Sequence, residues 1–268
     1  AAIYALSRCG QLIAEPQLVR KAAEFLPLAS EIIEKRKTSA DVVLGRAGLL
    51  LAVHRLREAS ATAIPAADAL AERLHASLLA DLAEPAAPLI VSPYPPRLDM
   101  LQGLPTGADG IVHALARSAR ALGTTERDGP LLAAHSFGLD GAGSVAAALA
   151  TAHHLGQPIP EAVTERLLAR CASTWEHTCE HLLVDADMAL WADTFAAAGD
   201  GGRDDRYRLQ AMRLMRSLLA RHERTGKWFA DRMAADQHNL SALHGLAAVG
   251  LLCLRLTDDD ATSPRLAL

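Results

Sequence analysis

Apolar residues along this chain recur mainly at spacings of three and four, the period of an amphipathic helix. Between these stretches lie short segments rich in Gly, Pro and polar turn residues. Strand-like alternation is almost absent. The pattern therefore predicts an all-α protein with at least eight helices, at residues 16–37, 45–58, 66–82, 110–122, 144–155, 161–181, 205–222 and 242–256.

A short glycine phrase recurs at the start of four of the most apolar stretches, at residues 45–48, 107–110, 138–141 and 244–245. The helices that follow it are nearly all small and apolar, whereas the intervening stretches carry a charged face. A helix that is apolar all round is buried, and one with a polar face lies outside. We therefore predict a double-layered helical barrel, an α/α toroid of helix-hairpin repeats, formed by residues 1–268 as one domain.

The glycines are expected at the entries to the inner helices, where the chain turns sharply and approaches its neighbours closely. Glycine permits a positive φ without a Cβ clash. If these entries gather at one end of the barrel, their polar residues surround a common mouth into which helix N-terminal N–H groups point, a setting suited to developing negative charge. The alternative interpretation is that Asp109 and Asp140 serve only as helix caps. The residues predicted at this mouth are Thr106, Asp109, Ser136, Asp140 and His244.

Charge and composition argue against several partners. The formal net charge is −4, with acids and bases interspersed, so there is no basic patch for nucleic acid or an acidic membrane. No apolar run is long enough to span a bilayer, since even residues 246–254 are followed by Arg255. The four cysteines show no CxxC spacing and the chain does not open with a signal-peptide pattern, which favours a cytoplasmic protein.

The order and spacing of the glycine phrases resemble those of the lanthionine synthetase C-like cyclase family. The likeness covers about residues 41–256 and includes an early repeat at residues 41–56. It is carried by Gly103-Leu-Pro-Thr-Gly-Ala-Asp-Gly110, then Ser136-Phe-Gly-Leu-Asp-Gly141, and finally Leu243-His244-Gly245. The resemblance implies an α/α toroid and the addition of a peptide cysteine thiol to a dehydrated Ser or Thr, closing a (methyl)lanthionine or labionin ring.

The chain departs from the zinc-dependent members of that family. Those members hold the metal with a Trp-Cys-x-Gly phrase and a Cys-His-Gly phrase, and they have a further His-Gly phrase near the site. At the matching positions this chain has His135-Ser136-Phe-Gly138, Leu243-His244-Gly245 and Thr106-Gly107. One candidate ligand remains where tetrahedral zinc needs three. We therefore expect no metal and no other cofactor.

In lacking these ligands, the chain resembles the cyclase domain of class III synthetases. That domain follows kinase and lyase domains in one polypeptide. The expected partners are a dehydrated precursor peptide and the kinase and lyase of the same pathway. The absence of an initial Met is expected of an excised C-terminal domain, and the remaining sequence pattern is equally expected of a freestanding cyclase-like protein. Without a metal, His244 or His135 is expected to deprotonate the thiol, while Thr106, Asp109 or Asp140 orients the substrate or protonates the enolate. The resemblance assigns substrate contacts to Gly107, Ser136, Gly138 and Gly245.

Two other functions remain open from the sequence. Residues 177–181 spell His-Thr-Cys-Glu-His, the H-x-x-E-H phrase of inverted zinc peptidases, in which the two histidines share a metal and Glu180 acts as general base. The third ligand and the wider pattern of that class are missing, so an exposed helix face explains the phrase better. The second alternative is a non-catalytic toroid that binds a precursor peptide or holds partner enzymes together.

Overall fold

The computed structural model describes residues 2–35, 38–42, 45–83, 107–138, 142–172, 185–200, 205–226 and 253. Within these ranges the regular elements are α-helices, which confirms the predicted all-α class. Contacts along the chain divide it into two compact units, residues 1–158 with residue 268, and residues 159–267. No helix in the described ranges is both long and apolar enough to cross a membrane.

The described part of the first unit contains eight helices. α1 packs against α2 and α4, and α3 packs against α5. The bounds are α1 (Ala2–Leu12), α2 (Pro16–Ala23), α3 (Leu26–Lys35), α4 (Arg46–Ala59), α5 (Pro65–Ala83), α6 (Ala108–Leu122), α7 (Thr125–Ala133) and α8 (Ala142–Leu155).

α4, α6 and α8 run in the same direction. Near their N-terminal ends, α6 and α8 are joined by a hydrogen bond between Asp109 and Ser144. Near their C-terminal ends, Arg120 donates to His153 at 3.4 Å. On the other side of α6, His54 Nε2 of α4 lies 2.9 Å from Ser118 Oγ of α6. The C-terminal ends of α4 and α6 line one cavity. The helices that follow glycine phrases thus begin at the same end of this unit.

α5 and α7 return the chain between these parallel helices. α5 is antiparallel to α4, because ion pairs join the start of α4 to the end of α5 and the end of α4 to the start of α5. Those pairs are Arg46 with Asp81 and Arg57 with Asp68. α7 starts after Gly123, whose φ of 70° ends α6 in the left-handed conformation that glycine favours. The result is a repeat of one parallel helix and one returning helix.

Burial differs between the two kinds of helix, as the hydrophobic pattern predicts. Every residue of α6 from position 109 to position 119 is buried, and α8 buries nearly its whole circumference. α5 buries one face only, formed by Ala67, Leu70, Ala71, Leu74, His75 and Leu78. α4, α6 and α8 therefore form the interior of this unit, with α5 packed outside them.

The second unit contains three helices in its described part: α9 (Glu161–Ala172), α10 (Asp185–Asp200) and α11 (Asp205–Thr225). α10 is buried along residues 191–196, where the Phe195 ring stacks on Tyr207 of α11 with centroids 6.4 Å apart. α11 buries one face and leaves the other exposed. This pair repeats the combination of a buried helix with an amphipathic one.

Several sequence predictions need correction. The single helix predicted at 16–37 is two helices, α2 and α3, with a break near Phe25, and residues 36–37 lie outside the described residues. Residues 124–130, assigned to a turn segment between predicted helices, include the start of α7. α1 and α10 were not predicted. α7 contains Pro130 in its interior, and tertiary contacts hold it as a helix despite that residue. The predicted helix at 242–256 lies outside the described residues, except for position 253.

The reason predicted for the glycines is also wrong at two entries. Gly45 and Gly107 have φ values of −110° and −97°, so neither needs a positive φ. The close approach is present at the first phrase instead. A Cβ on Gly48 would lie 1.7 Å from the carbonyl oxygen of Val42, and one on Gly45 would lie 2.4 Å from that of Ser39. These glycines are required by contact with the preceding loop.

Candidate functional site

Two residues predicted to be catalytic, Asp109 and His135, meet in the first unit. Asp109 lies in the first turn of α6, and His135 follows the end of α7. His135 Nε2 lies 2.8 Å from Asp109 Oδ1, with side-chain exposures of 17% and 10%. The Phe137 ring and the imidazole pack edge to face, with centroids 4.8 Å apart and an angle of 87° between the planes. The pair is nearly enclosed, and the histidine is the more accessible member.

Asp109 is held as a carboxylate. Burial alone would raise its pKa, but hydrogen bonds from His135 and Ser144, the charge of His135 and the backbone N–H of Gly138 lower it below its usual value. The donors come from the segment after α7 and from the first turn of α8. A carboxylate with several donors is fixed in orientation and stabilises an imidazolium beside it.

The pair also defines which nitrogen of His135 can accept a proton. An ionised carboxylate only accepts hydrogen bonds, so His135 Nε2 carries the hydrogen and donates it to Asp109. In the neutral ring Nδ1 then keeps its lone pair. This arrangement of a carboxylate, an oriented imidazole and a free ring nitrogen is that of a general base.

The other predicted site residues are distributed as follows. Gly107 is the N-cap residue of α6 and provides no side-chain hydrogen bond to the first turn. Ser136 is exposed and adjoins His135, and Gly138 donates its N–H to Asp109. Thr106, Asp140, His244 and Gly245 lie outside the described residues, as does the H-x-x-E-H phrase at 177–181.

Ser144 is a member of the site that sequence reasoning did not single out. It is 2% exposed, lies in the first turn of α8 and hydrogen-bonds to Asp109. Its position three residues after the third glycine phrase, in the first turn of the helix that follows, was the available signal. A serine at such a position is equally typical of an ordinary helix start, so its role depends on the pairing of α6 with α8.

A cavity of about 450 Å³ lies at the opposite end of the parallel helices. Its walls come from the ends of α4 and α6 and the loop before α5. The charged groups around it are already paired: Arg57 with Asp68 at 2.7 Å, and Glu58 with Arg55 and Arg117 at about 3 Å. This cavity is separate from the Asp109–His135 pair and offers no unused charge to a ligand.

Within the described residues, no group of three or more His, Cys, Asp or Glu side chains is arranged to hold a metal ion. Asp109 and His135 by themselves do not supply the three ligands that catalytic zinc requires. Comparison of the chain with models of protein families, with curated proteins and with solved structures found no match.

Proposed function

We propose that this chain is a cyclase of the lanthionine synthetase C-like type, closing thioether rings in a dehydrated precursor peptide without zinc. The observation that carries the proposal is the convergence of the second and third glycine phrases on one carboxylate–imidazole pair. Asp109 and Gly138 belong to the phrases on which the family resemblance rests, His135 directly precedes the Ser136–Gly141 phrase, and Ser144 follows that phrase by three residues. Thiol addition needs such a pair, because the thiolate is the nucleophile and a free thiol has a pKa of about 8.5.

The proposal includes the α/α toroid. The repeat of parallel inner helices and returning outer helices in the first unit supports it, and so does the pairing of a buried helix with an amphipathic one in the second. In a toroid the inner helices are mutually parallel and begin at one rim. α4, α6 and α8 have this relation.

In the proposed reaction His135 Nδ1 takes the proton of the peptide cysteine. The thiolate sulfur forms a bond to Cβ of the dehydroalanine or dehydrobutyrine, and the electron pair of the double bond moves through Cα to the carbonyl oxygen. Asp109 stabilises the imidazolium during this step. The proton held by His135 then passes to Cα, which restores the neutral imidazole and leaves no net change in protons.

The enolate that forms carries its charge on the carbonyl oxygen. The first-turn N–H groups of α6 have no side-chain cap and lie beside Asp109, where the positive end of the helix dipole favours a developing anion. These amides are the proposed stabilising groups for the oxyanion. Asp109 is already ionised, so its proposed role is to hold and charge-balance His135 rather than to donate a proton.

The test uses a synthetic peptide with one cysteine and one dehydroalanine, incubated with the full chain. Free thiol is counted against time and the thioether is identified by its resistance to alkylation. A rate above the spontaneous one supports the cyclase. An unchanged rate with saturable binding of the peptide supports the non-catalytic alternative. An unchanged rate without binding contradicts both.

A further inference from the structure

The hydrogen bond to Asp109 fixes only one atom of the His135 ring. Nε2 lies 2.8 Å from Asp109 Oδ1, at the far side of the imidazole from Cβ. The χ2 torsion of histidine is broad and has little preference of its own. The bond to Nε2 therefore selects the tautomer but leaves the ring able to rock about the line from Cβ to Nε2. Such a motion changes the direction of the lone pair on Nδ1.

The Phe137 ring makes a second contact with the imidazole. The two rings are nearly perpendicular, with centroids 4.8 Å apart and an angle of 87° between the planes. This arrangement is a favoured one, because the positive edge of one ring meets the negative face of the other. When the imidazole rocks, it either collides with this neighbour or loses the contact. The contact thus restricts the motion that the hydrogen bond to Asp109 leaves open.

Phe137 can restrict another ring because its own position is fixed. It is half-buried and packs against the hydrophobic core of the first unit. The backbone is held on both sides of it: the His135 N–H donates to the carbonyl oxygen of Leu132 at 3.3 Å, and the Gly138 N–H donates to the carboxylate that holds His135. Ser136 is exposed between two less exposed neighbours, so side chains 135 and 137 lie on the inner side of the segment.

We propose that Phe137 is a positioning residue for His135. Asp109 determines which ring nitrogen carries the hydrogen, and Phe137 determines where the other nitrogen points. The catalytic consequence rests on the cyclase function proposed above, in which Nδ1 takes the proton of the peptide thiol. Proton transfer requires a lone pair aimed at the thiol within hydrogen-bond reach. Phe137 has no group that can exchange a proton, so it acts through His135.

The first measurement needs no substrate. The full chain is labelled with ¹³C and ¹⁵N in histidine, and the His135 signals are assigned as those missing from H135Q. Ring ¹⁵N shifts report the tautomer, and relaxation of the ring carbons reports the order parameter of the ring. In F137L we expect the tautomer of the wild type, and an order parameter that falls from a rigid value of about 0.85 to below about 0.6.

D109N should show the opposite pattern in the same spectra. A side-chain amide both donates and accepts hydrogen bonds, so the substitution no longer selects one tautomer of His135. The contact with Phe137 remains. We therefore expect a mixture of tautomers in D109N, and a smaller fall in the order parameter of the ring than in F137L.

Two further variants separate ring orientation from loss of packing. F25L makes the same substitution at another half-buried phenylalanine that packs against the same core, and we expect the His135 signals to be unchanged. F137Y keeps an aromatic ring and is expected to retain the order parameter of the wild type. Circular dichroism checks that each variant keeps the helical content of the wild type.

The second measurement uses the peptide with one cysteine and one dehydroalanine. We expect F137L to lower kcat for thiol loss about tenfold, the upper end of what an edge-to-face ring pair contributes, with KM unchanged. We expect kcat of F137Y to be within about twofold of the wild type and kcat of F25L to equal it.

Three results would overturn the proposal. They are an equal order parameter of the His135 ring in F137L and the wild type, an equal loss of order in F25L and F137L, and an unchanged kcat in F137L when the wild type is active. Thiol loss at the spontaneous rate in the wild type would instead contradict the cyclase function. The spectra would still decide whether Phe137 orients the ring.

Discussion

Asp109 contributes to stability in a way that depends on pH. Its pKa is lowered in the folded chain, so the carboxylate stabilises the fold above the unfolded value of about 4, and this contribution is lost as pH falls through the folded pKa. We expect D109N to lower the free energy of unfolding by about 2 kcal/mol at pH 7, because three donors lose a charged acceptor. Urea titrations should show the difference from wild type shrinking below about pH 4. A difference in unfolding free energy between D109N and wild type that does not change with pH would contradict the lowered pKa of Asp109 in the folded chain.

His54 is a second buried residue whose charge state affects stability. Burial first, then Arg57 and Arg117, lower its pKa to about 3. Arg57 donates to Nδ1 at 3.0 Å, so Nε2 carries the hydrogen that reaches Ser118. The neutral ring is required for this network.

The unfolded chain therefore binds a proton at His54 that the folded chain does not, between pH 6.5 and about 3. Stability is complete above pH 6.5 and falls as the solution becomes more acidic, with an upper limit of about 1.4 kcal/mol per pH unit for this group. H54Q keeps a donor and an acceptor, and we expect it to have a shallower decline in unfolding free energy between pH 7 and pH 5. Equal slopes in the two proteins would contradict this role.

Part of the candidate site could be predicted at the level of residues. Asp109 was selected because it stands in a glycine phrase, and His135 because the resemblance matches its segment to a zinc-ligand phrase, but the sequence did not indicate that they pair with each other across 26 positions. Ser144 was missed because its contact is made between helices. Local sequence identifies residue types at helix starts, whereas the geometry of a site depends on which starts are neighbours.

At the scale of elements, the space around the Cβ position separates two kinds of glycine. Gly48 has no space for a side chain, since a Cβ would meet the backbone of Val42. Gly129 in α7 does have space, because the nearest atoms to its Cβ position are 3.8 and 3.9 Å away. We expect G48A to lose about 3 kcal/mol or more, as the backbone must move.

G129A is the matched control for that substitution. Alanine is favoured over glycine within a helix by up to about 1 kcal/mol, so its thermal midpoint is expected to equal or exceed that of the wild type. Differential scanning calorimetry of the two variants distinguishes the effects. If both variants melt together, the close approach at Gly48 is not what requires glycine there.

Helix prediction succeeded where the sequence offered either a polar face or a preceding glycine phrase; α6 and α8, buried nearly all round, start within two residues of the predicted positions. α5 and α11 have a polar side, so their apolar period is evident, and predicted and observed bounds differ by only a few residues. α10 is buried along residues 191–196 and has little period to detect. α7 contains Gly129 and Pro130, which locally favour a turn; a buried contact between His75 of α5 and Asp128 at 2.9 Å helps to hold it as a helix.

At the scale of the whole molecule, the alternation of buried and amphipathic helices predicts layers but not directions. The common direction of α4, α6 and α8 is determined by contacts such as Asp109 with Ser144 and Arg120 with His153. Such contacts join residues far apart in sequence, and no local pattern indicates them. This common direction brings the helix starts, and with them the proposed catalytic groups, to one end of the first unit.

The most direct test of the proposed cyclase site is the rate of thiol loss from a dehydroalanine- and cysteine-containing peptide with wild type, H135Q and H153Q. His153 is an exposed histidine at the other end of α8 and serves as the control. We predict that thiol loss with the wild type is faster than the spontaneous rate. The rate enhancement is expected to fall about 100-fold in H135Q and to be unchanged in H153Q. Equal rates for the wild type and H135Q would contradict the assignment of His135 as the base.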